Sequence, residues 1–390
     1  MSKRDGIRKV GTDRWEVRVS YGKDPVSGQY RRKSFVVQGK RADAERRKRE
    51  LETAKDQHMP SPGEMTVEQL LDAFILSREL AGATPRTIHG HRQKRDCYLV
   101  PTLGSVPVQQ LTSYQVEHAY QTIRTMRAGR VKPGEAKRPL SAQTVRLCHG
   151  LLSAALRRAV RQRVLPFNPA DAAAVPKCDT KETGHLEPTE AKRMIVALED
   201  ADPRLRVACL LALTCGLRKA EVCGLRWGAV NLREHHLNVD NAVVYVPGLG
   251  NLDGDPKTAQ SRRQVPLPDV AVRALEALRG PVVSLSGTHY VLGSNDGKPW
   301  SPNALDYAFR CFREAHHLDV TFHGLRHTFA TLQLDAGEGL DVVKDLLGHS
   351  TITLTVNTYR HRMSDQGART AGNMDRLFGT VSKRSGRVRG

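Results

Sequence analysis

Six side chains in the second half of the chain are of types that together can work on a phosphate ester. They are Arg218 in GLRKAEVCGLRW, Lys257 in PKTAQSRRQVPL, His323 and Arg326 in HGLRHTFAT, and His349 and Tyr359 in LGHSTITLTVNTYRH. A planar guanidinium grips two oxygens of a phosphodiester at once, which an ammonium cannot do. Charge on the non-bridging oxygens grows as phosphorus becomes pentacoordinate. Two arginines and a histidine placed there stabilise the transition state more than the ground state. A phenol has a free pKa of about 10, and neighbouring cations lower it and favour the nucleophilic phenolate.

Each residue alone has a plainer explanation. A GLR triplet after an apolar helix is often a helix C-cap followed by a solvated arginine. Gly348 and His349 could simply close a helix, glycine at the cap and histidine near the negative end of the dipole. His323 and His327 stand four apart, as metal ligands do on a helix. Gly324, Leu325 and Arg326 lie between them, however, with no glutamate base, and a cation beside a metal is unfavourable. No metal site is expected. GSNDGK at 293–298 is one spacer residue short of a phosphate-binding loop and lacks the following Ser or Thr, so no nucleotide is expected either. What distinguishes the six residues is their order and co-occurrence.

The elements that must position them can be read from pattern. A last domain, 180–380, opens with a capped helix, LEPTEAKRMIVALED, and continues with the apolar helix RLRVACLLALTCG. A strand-rich stretch follows: HHLNVDNAVVYV, then RRQVPLP, joined by the polar turn PGLGNLDGDPKTAQS, with several helices after it. Before it, residues 65–176 read as all-helical, with Thr66 as one N-cap and Thr84 as another, the latter followed by Pro85 at the first helical position. Its final helix carries Arg157, Arg158, Arg161 and Arg163, a candidate backbone-binding face. The first segment, 1–60, shows the alternating strands WEVRVSY and YRRKSFVVQ, then a helix with Ala42, Ala44 and Leu51 among its few apolar residues. It holds 17 Lys and Arg against 9 Asp and Glu, a net +8. Arg14, Arg18, Arg31 and Arg32 lie on or near the strands, where a β-face could lie on a DNA groove. Residues 381–390 form a basic tail.

Composition points the same way. The 390 residues carry a formal net charge of +20. So much uncompensated charge repels itself, and a polyanion relieves it by releasing counterions. No apolar run approaches the ~20 residues that span a bilayer, and the basic N-terminus lacks the apolar stretch of a secretory signal. No membrane partner is expected, and a cytoplasmic location is, nucleoid-associated when DNA is bound. The seven cysteines form no CxxC pair, so they read as structural thiols.

In this order the segments resemble the tyrosine recombinase, or phage integrase, family. The resemblance covers the whole last domain and reaches into the helical segment. Gly216-Leu217-Arg218 with Glu221 as buttress matches the family's G-L-R-x-x-E turn, Lys257 its β-hairpin lysine, and His323-Gly324-Leu325-Arg326 its H-x-x-R motif. His349 falls in LGHS and Tyr359 ten residues beyond; no other tyrosine follows Tyr307. Gly324 departs from the acidic residue most members carry. The resemblance implies a multidomain α+β fold: a three-stranded N-terminal sheet plus helix, a helical core-binding domain, and a mainly helical catalytic domain with a small sheet. It also implies Tyr359 as nucleophile, Lys257 as general acid, Arg218, Arg326 and His349 as phosphate ligands, and His323 as proton acceptor or phosphate contact. No cofactor is implied. Partners would be double-stranded DNA at core and arm attachment sites, a homotetramer, an excisionase or directionality factor, and a DNA-bending host factor. The basic front domain favours an integrase of a mobile element such as a prophage. The alternatives are a resolvase-type recombinase, a nicking-and-resealing topoisomerase, and a non-catalytic DNA-binding protein of the same fold.

Overall fold

The computed structural model describes residues 6–23, 30–56, 65–126, 139–178, 184–254, 262–280, 287–294 and 297–348. Lys257, His349, Tyr359 and the basic tail lie outside the described residues. The chain forms two compact units, Met1–Thr180 and Lys181–Gly390.

The first unit begins with an antiparallel sheet of three strands, β1 (Ile7–Gly11), β2 (Arg14–Lys23) and β3 (Tyr30–Gln38), in sequential order. β1 is the strand that alternation alone had not singled out. The pleat sends alternate residues to opposite faces: Val17 and Val19 are buried with Ala44 and Leu51 of α1 (Arg41–Asp56). Phe35 and Val37 pack against the same cluster. Arg14, Arg18, Ser34 and Val36 are exposed, and the register pairs Arg18 with Ser34 and Glu16 with Val36.

A separate apolar core is built by α2 (Val67–Leu80), α3 (Pro85–Lys94), α4 (Val100–Leu103), α5 (Ser113–Thr125) and α6 (Ala142–Arg161). Thr66 caps α2 in a reciprocal box with Gln69, and Thr84 caps α3 with Pro85 in its first turn, as the sequence predicts. TPRTIHGHRQKRDCYLV reads as one helix but widens into a π-helical turn at Arg95–Leu99 between α3 and α4. Pro101 explains it: its ring crowds the carbonyl four residues back and it has no N–H to donate. Arg163 falls outside α6, in a left-handed conformation at φ +58°.

The second unit is organised around α8 (Pro203–Cys215), which is buried on nearly every side, as an apolar helix without a polar face must be. α7 (Pro188–Ala197), α10 (Asp269–Arg279), α11 (Pro302–Ala315) and α12 (Phe322–Asp335) contribute to the same core. α9 (Lys219–Gly224) follows α8 after a left-handed turn at Gly216. α13 (Leu340–Leu347) packs Val343 and Leu347 on Phe329, Ala330 and Leu334 of α12.

The strands correct the sequence reading. HHLNVDNAVVYV divides into β5 (His236–Val239) and β6 (Ala242–Val246), because Asn241 donates to the Gly224 carbonyl and to Asp253 and so pins a break. The polar turn contains a strand of its own, β7 (Gly250–Gly254), paired with β6. β8 (Arg263–Pro266) pairs instead with β5, whose other neighbour is β4 (Val230–Asn231). The strands flanking Lys257 therefore belong to two sheets, where a single hairpin had been expected. A strand of mixed polarity that needs no buried face leaves little periodic signal.

Candidate active site

Arg218 is the N-cap residue of α9, and the third residue of that helix, Glu221, reaches back to it. The Arg218 backbone N–H donates to Glu221 Oε2 at 2.9 Å and its Nη1 to Oε1 at 2.7 Å. Glu221 is only 4% exposed. A carboxylate so buried needs paired charge and hydrogen bonds, and three guanidiniums supply them. Besides Arg218, Arg263 donates Nη1 to Oε1 at 3.2 Å and Nη2 to Oε2 at 2.9 Å, and Arg326 Nη1 stands 3.9 Å from Oε2. Burial pushes the Glu221 carboxyl up, but the hydrogen bond and charge of Arg263, then the charge of Arg218, outweigh it and hold it below the usual range.

Arg326 lies on the buried side of α12. Its Nη1 donates to the Gly216 carbonyl at 2.7 Å and its Nη2 to the Leu347 carbonyl at 2.6 Å. Both acceptors close helices that end on left-handed glycines, Gly216 and Gly348. Such terminal carbonyls lack intrahelical partners, and a cation there also meets the negative end of the dipole. Gly216 is required twice over: φ is +67°, and a Cβ would sit 2.6 Å from the Phe329 ring. Arg218 differs from Arg326 in keeping about a third of its side chain exposed, 34% against 4%. It is the more open of the two.

His323 stands in the first turn of α12, where Thr321 caps the helix by accepting from the Gly324 N–H. Part of its ring faces solvent, yet its pKa is lowered by the surrounding protein and then by the charges of Arg326, Arg218 and Lys219. His327 meets it edge-on, ring centroids 4.8 Å apart. Desolvation first, then His323, Arg326 and His185, hold His327 at about 4. Both are neutral near pH 7, and His323 there can accept a proton. The rest of HGLRHTFAT is structural: Thr328, fully buried, accepts from the Leu186 N–H and donates to the Gly324 carbonyl. At Gly324 a Cβ would fall 2.6 Å from the Gly184 carbonyl oxygen, so the chain at 184 passes where another residue's side chain would stand.

Arg218, Glu221, His323 and Arg326 are thus brought together, and α13 delivers the chain to the same place at Gly348, one residue before His349. Lys257, His349 and Tyr359 lie outside the described residues. Arg263 is the member that sequence reasoning missed. A signal existed: it shares strand parity with buried Val265, so a charge was due on an inward-facing position. No group of three or more metal-ligating side chains occurs among the described residues.

Of the basic residues nominated elsewhere, Arg14 and Arg18 are exposed on the N-terminal sheet, Arg18 beside Glu16 at 3.5 Å. Arg31 and Arg32 are on β3, with Arg32 opposite Ser20, but their side chains lie outside the described residues. Arg157, Arg158 and Arg161 line one groove of about 960 Å³ between α2, α3 and α6, together with Arg78, Lys94 and Arg146. Arg157 is paired with Asp171 at 3.1 Å, and Arg158 reaches the Ala73 carbonyl at 3.4 Å. In the groove His91 is pushed below its usual pKa by desolvation and then by Lys94 and Arg78. No described helix is long and apolar enough to cross a membrane.

The chain is similar to known proteins in sequence and in fold. Residues 185–365 match the Phage integrase family. The chain is 25% identical over 407 residues to the tyrosine recombinase XerC-like protein of Caldanaerobacter subterraneus subsp. tengcongensis, covering 97% of this chain and 100% of that one. It is 32% identical over 237 residues to tyrosine recombinase XerC of Xylella fastidiosa, covering 58% and 72% respectively. With the ICEBs1 integrase of Bacillus subtilis the identity is 20% over 380 residues, covering 95% and 100%. Among solved structures, the Tn1549 transposon integrase in complex with a circular intermediate DNA superposes with a TM-score of 0.65 at 21% identity, over 78% of this chain and 100% of that one. A lambda integrase dimer bound to a COC′ core site gives 0.56 at 18%, over 92% and 96%. At such identities the superpositions establish the fold, a small three-stranded sheet, a helical domain and a mainly helical unit with short strands. The Xylella relative, spanned over most of its length at 32% identity, establishes more: the chain belongs to the tyrosine recombinase family.

Proposed function

We propose that the chain is an integrase that cuts and rejoins duplex DNA through a phosphotyrosyl intermediate on Tyr359, integrating and excising a mobile element such as a prophage. The observation that carries this is the Glu221-held pair, Arg218 and Arg326, beside a neutral His323. Tyr359 Oη attacks phosphorus, its proton passing to His323, and the bond from phosphorus to the 5′ oxygen breaks. That oxygen leaves with the electron pair and takes a proton from Lys257. Arg218, Arg326 and His349 bind the non-bridging oxygens as their charge grows. The 5′-hydroxyl of a second strand then attacks the 3′-phosphotyrosine and releases the phenol, so the ester bond count is conserved and no nucleotide cofactor is consumed.

Residues 180–380 would hold this chemistry, 65–176 would grip the core site through the α6 groove, and 1–60 would bind a distant arm site through the exposed sheet face. Linked domains that hold two DNA sites raise the effective concentration of one at the other. The assembly would be a tetramer on two duplexes, with the segment after Tyr359 exchanged between neighbours. An excisionase and a DNA-bending host protein would set direction, and the protein would work in the cytoplasm on the nucleoid.

The test uses duplexes nicked near the scissile phosphate, so that cleavage traps the covalent adduct. The parent chain should give a protein–DNA band that survives denaturant, and Tyr359→Phe should give none while binding the duplex as before. An adduct formed by the phenylalanine variant would overturn the assignment.

A further inference from the structure

Three consecutive carbonyls end α13, and each accepts from a different guanidinium. Arg263 Nε donates to Leu346 at 2.6 Å, Arg326 Nη2 to Leu347 at 2.6 Å, and Arg218 Nη2 to Gly348 at 2.9 Å. The same three arginines converge on Glu221. Two of them are the proposed phosphate ligands. The third, Arg263, turns its whole fork inward, with Nη1 and Nη2 given to Glu221 and Nε to the Leu346 carbonyl.

Resting on the phosphoryl-transfer proposal above, we infer that Arg263 is a positioning residue: it sets the aim of Arg218 and fixes the end of α13, from which the chain continues to His349. Its fork occupies both oxygens of Glu221, at 3.2 and 2.9 Å, so the carboxylate is held in one orientation while it receives Arg218. Without that fork, Glu221 is free to turn both oxygens to Arg218 and draw it away from the exposed side. The remaining Nε ties β8 to the last turn of α13 at a carbonyl no helical N–H can satisfy. One planar group does both because its donors point in two fixed directions. Lysine has the charge without that geometry.

The experiment compares the full chain with Arg263→Lys, Arg263→Met and the double variant Arg263→Met, Glu221→Gln. The double variant removes charge and countercharge together and so guards against misfolding of the single one. Two quantities are read: single-turnover adduct formation on the nicked duplex at saturating protein, and hydrogen exchange of residues 340–348 without DNA. Arg263→Lys should keep the fold and bind duplex within about threefold of the parent, yet form adduct roughly 10–100-fold more slowly, the range expected when a supporting shell is lost. Exchange in the last turn of α13 should quicken in all three. Adduct formation within threefold of the parent in the folded variants, a loss that disappears at saturation, or unchanged exchange at the α13 end would each overturn the inference. If the parent itself forms no adduct, the proposed function fails, and the exchange comparison still decides whether Arg263 holds the helix end.

Discussion

The histidine pair on α12 should make the second unit acid-sensitive in a defined window. His327 is held at about 4 by desolvation and by the charges of His323, Arg326 and His185, whereas an unfolded histidine titrates at about 6.5. Between those values the unfolded chain binds a proton that the native chain refuses. Stability therefore rises with pH across the window. The contribution is complete above about 6.5 and is lost as pH falls toward 4. The difference corresponds to about 3 kcal/mol. Replacing His327 with Gln removes the titration. Trp227 and Trp300 both pack on the core of this unit, so urea unfolding followed by tryptophan fluorescence reports on it, with Trp15→Phe silencing the N-terminal sheet. The stability gap between parent and variant should change by about 2–3 kcal/mol in the variant's favour from roughly pH 7.5 to 4. A gap constant to within about 0.5 kcal/mol would refute the reasoning.

Gly216→Ala should cost the second unit about 2–4 kcal/mol in the same unfolding assay, combining a left-handed alanine with a Cβ pressed on Phe329. Glu221→Gln keeps the shape but leaves buried guanidiniums short of countercharge, for a loss of about 3–5 kcal/mol at neutral pH. Because the Glu221 pKa is lowered, its contribution is present above the unfolded value of about 4.3 and fades as pH falls through the native one, so the variant's deficit should shrink in acid. Deleting residues 1–60 should abolish binding to arm-site duplexes and integrative recombination while leaving core-site cleavage; normal integration by the truncated chain would defeat the arm-domain proposal. Under native conditions a thiol reagent should label Cys97 and Cys311 quickly, while Cys215, raised to about 11 by burial, and Cys209 should react only on unfolding, as read by mass spectrometry.

Much of the fold was legible because local chemistry dictates it. Thr66 and Thr84 start helices since their side chains accept from orphan N–H groups, and Pro85 fits a first turn that has no N–H to lose. Alternation marked β2 and β3, and unbroken apolarity marked α8 as a buried helix. β7 was not legible: its residues look like turn residues, and what makes them a strand is the neighbouring β6. The π turn before Pro101 likewise settles a conflict between helix propensity and a proline, which pattern alone does not resolve.

The residue types by themselves determined what chemistry Arg218, His323 and Arg326 can offer, because a fork able to bind phosphate and an imidazole able to move a proton are properties of side chains. Only the tertiary structure decided how they are held. Glu221, Arg263 and the end of α13 lie between 42 and 127 residues apart in sequence, yet meet in one buried cluster. No local pattern encodes that meeting. It arises because a buried carboxylate must find cations and the carbonyls at a helix end must find donors, and the packing of α9, β8, α12 and α13 lets the same three guanidiniums serve both needs.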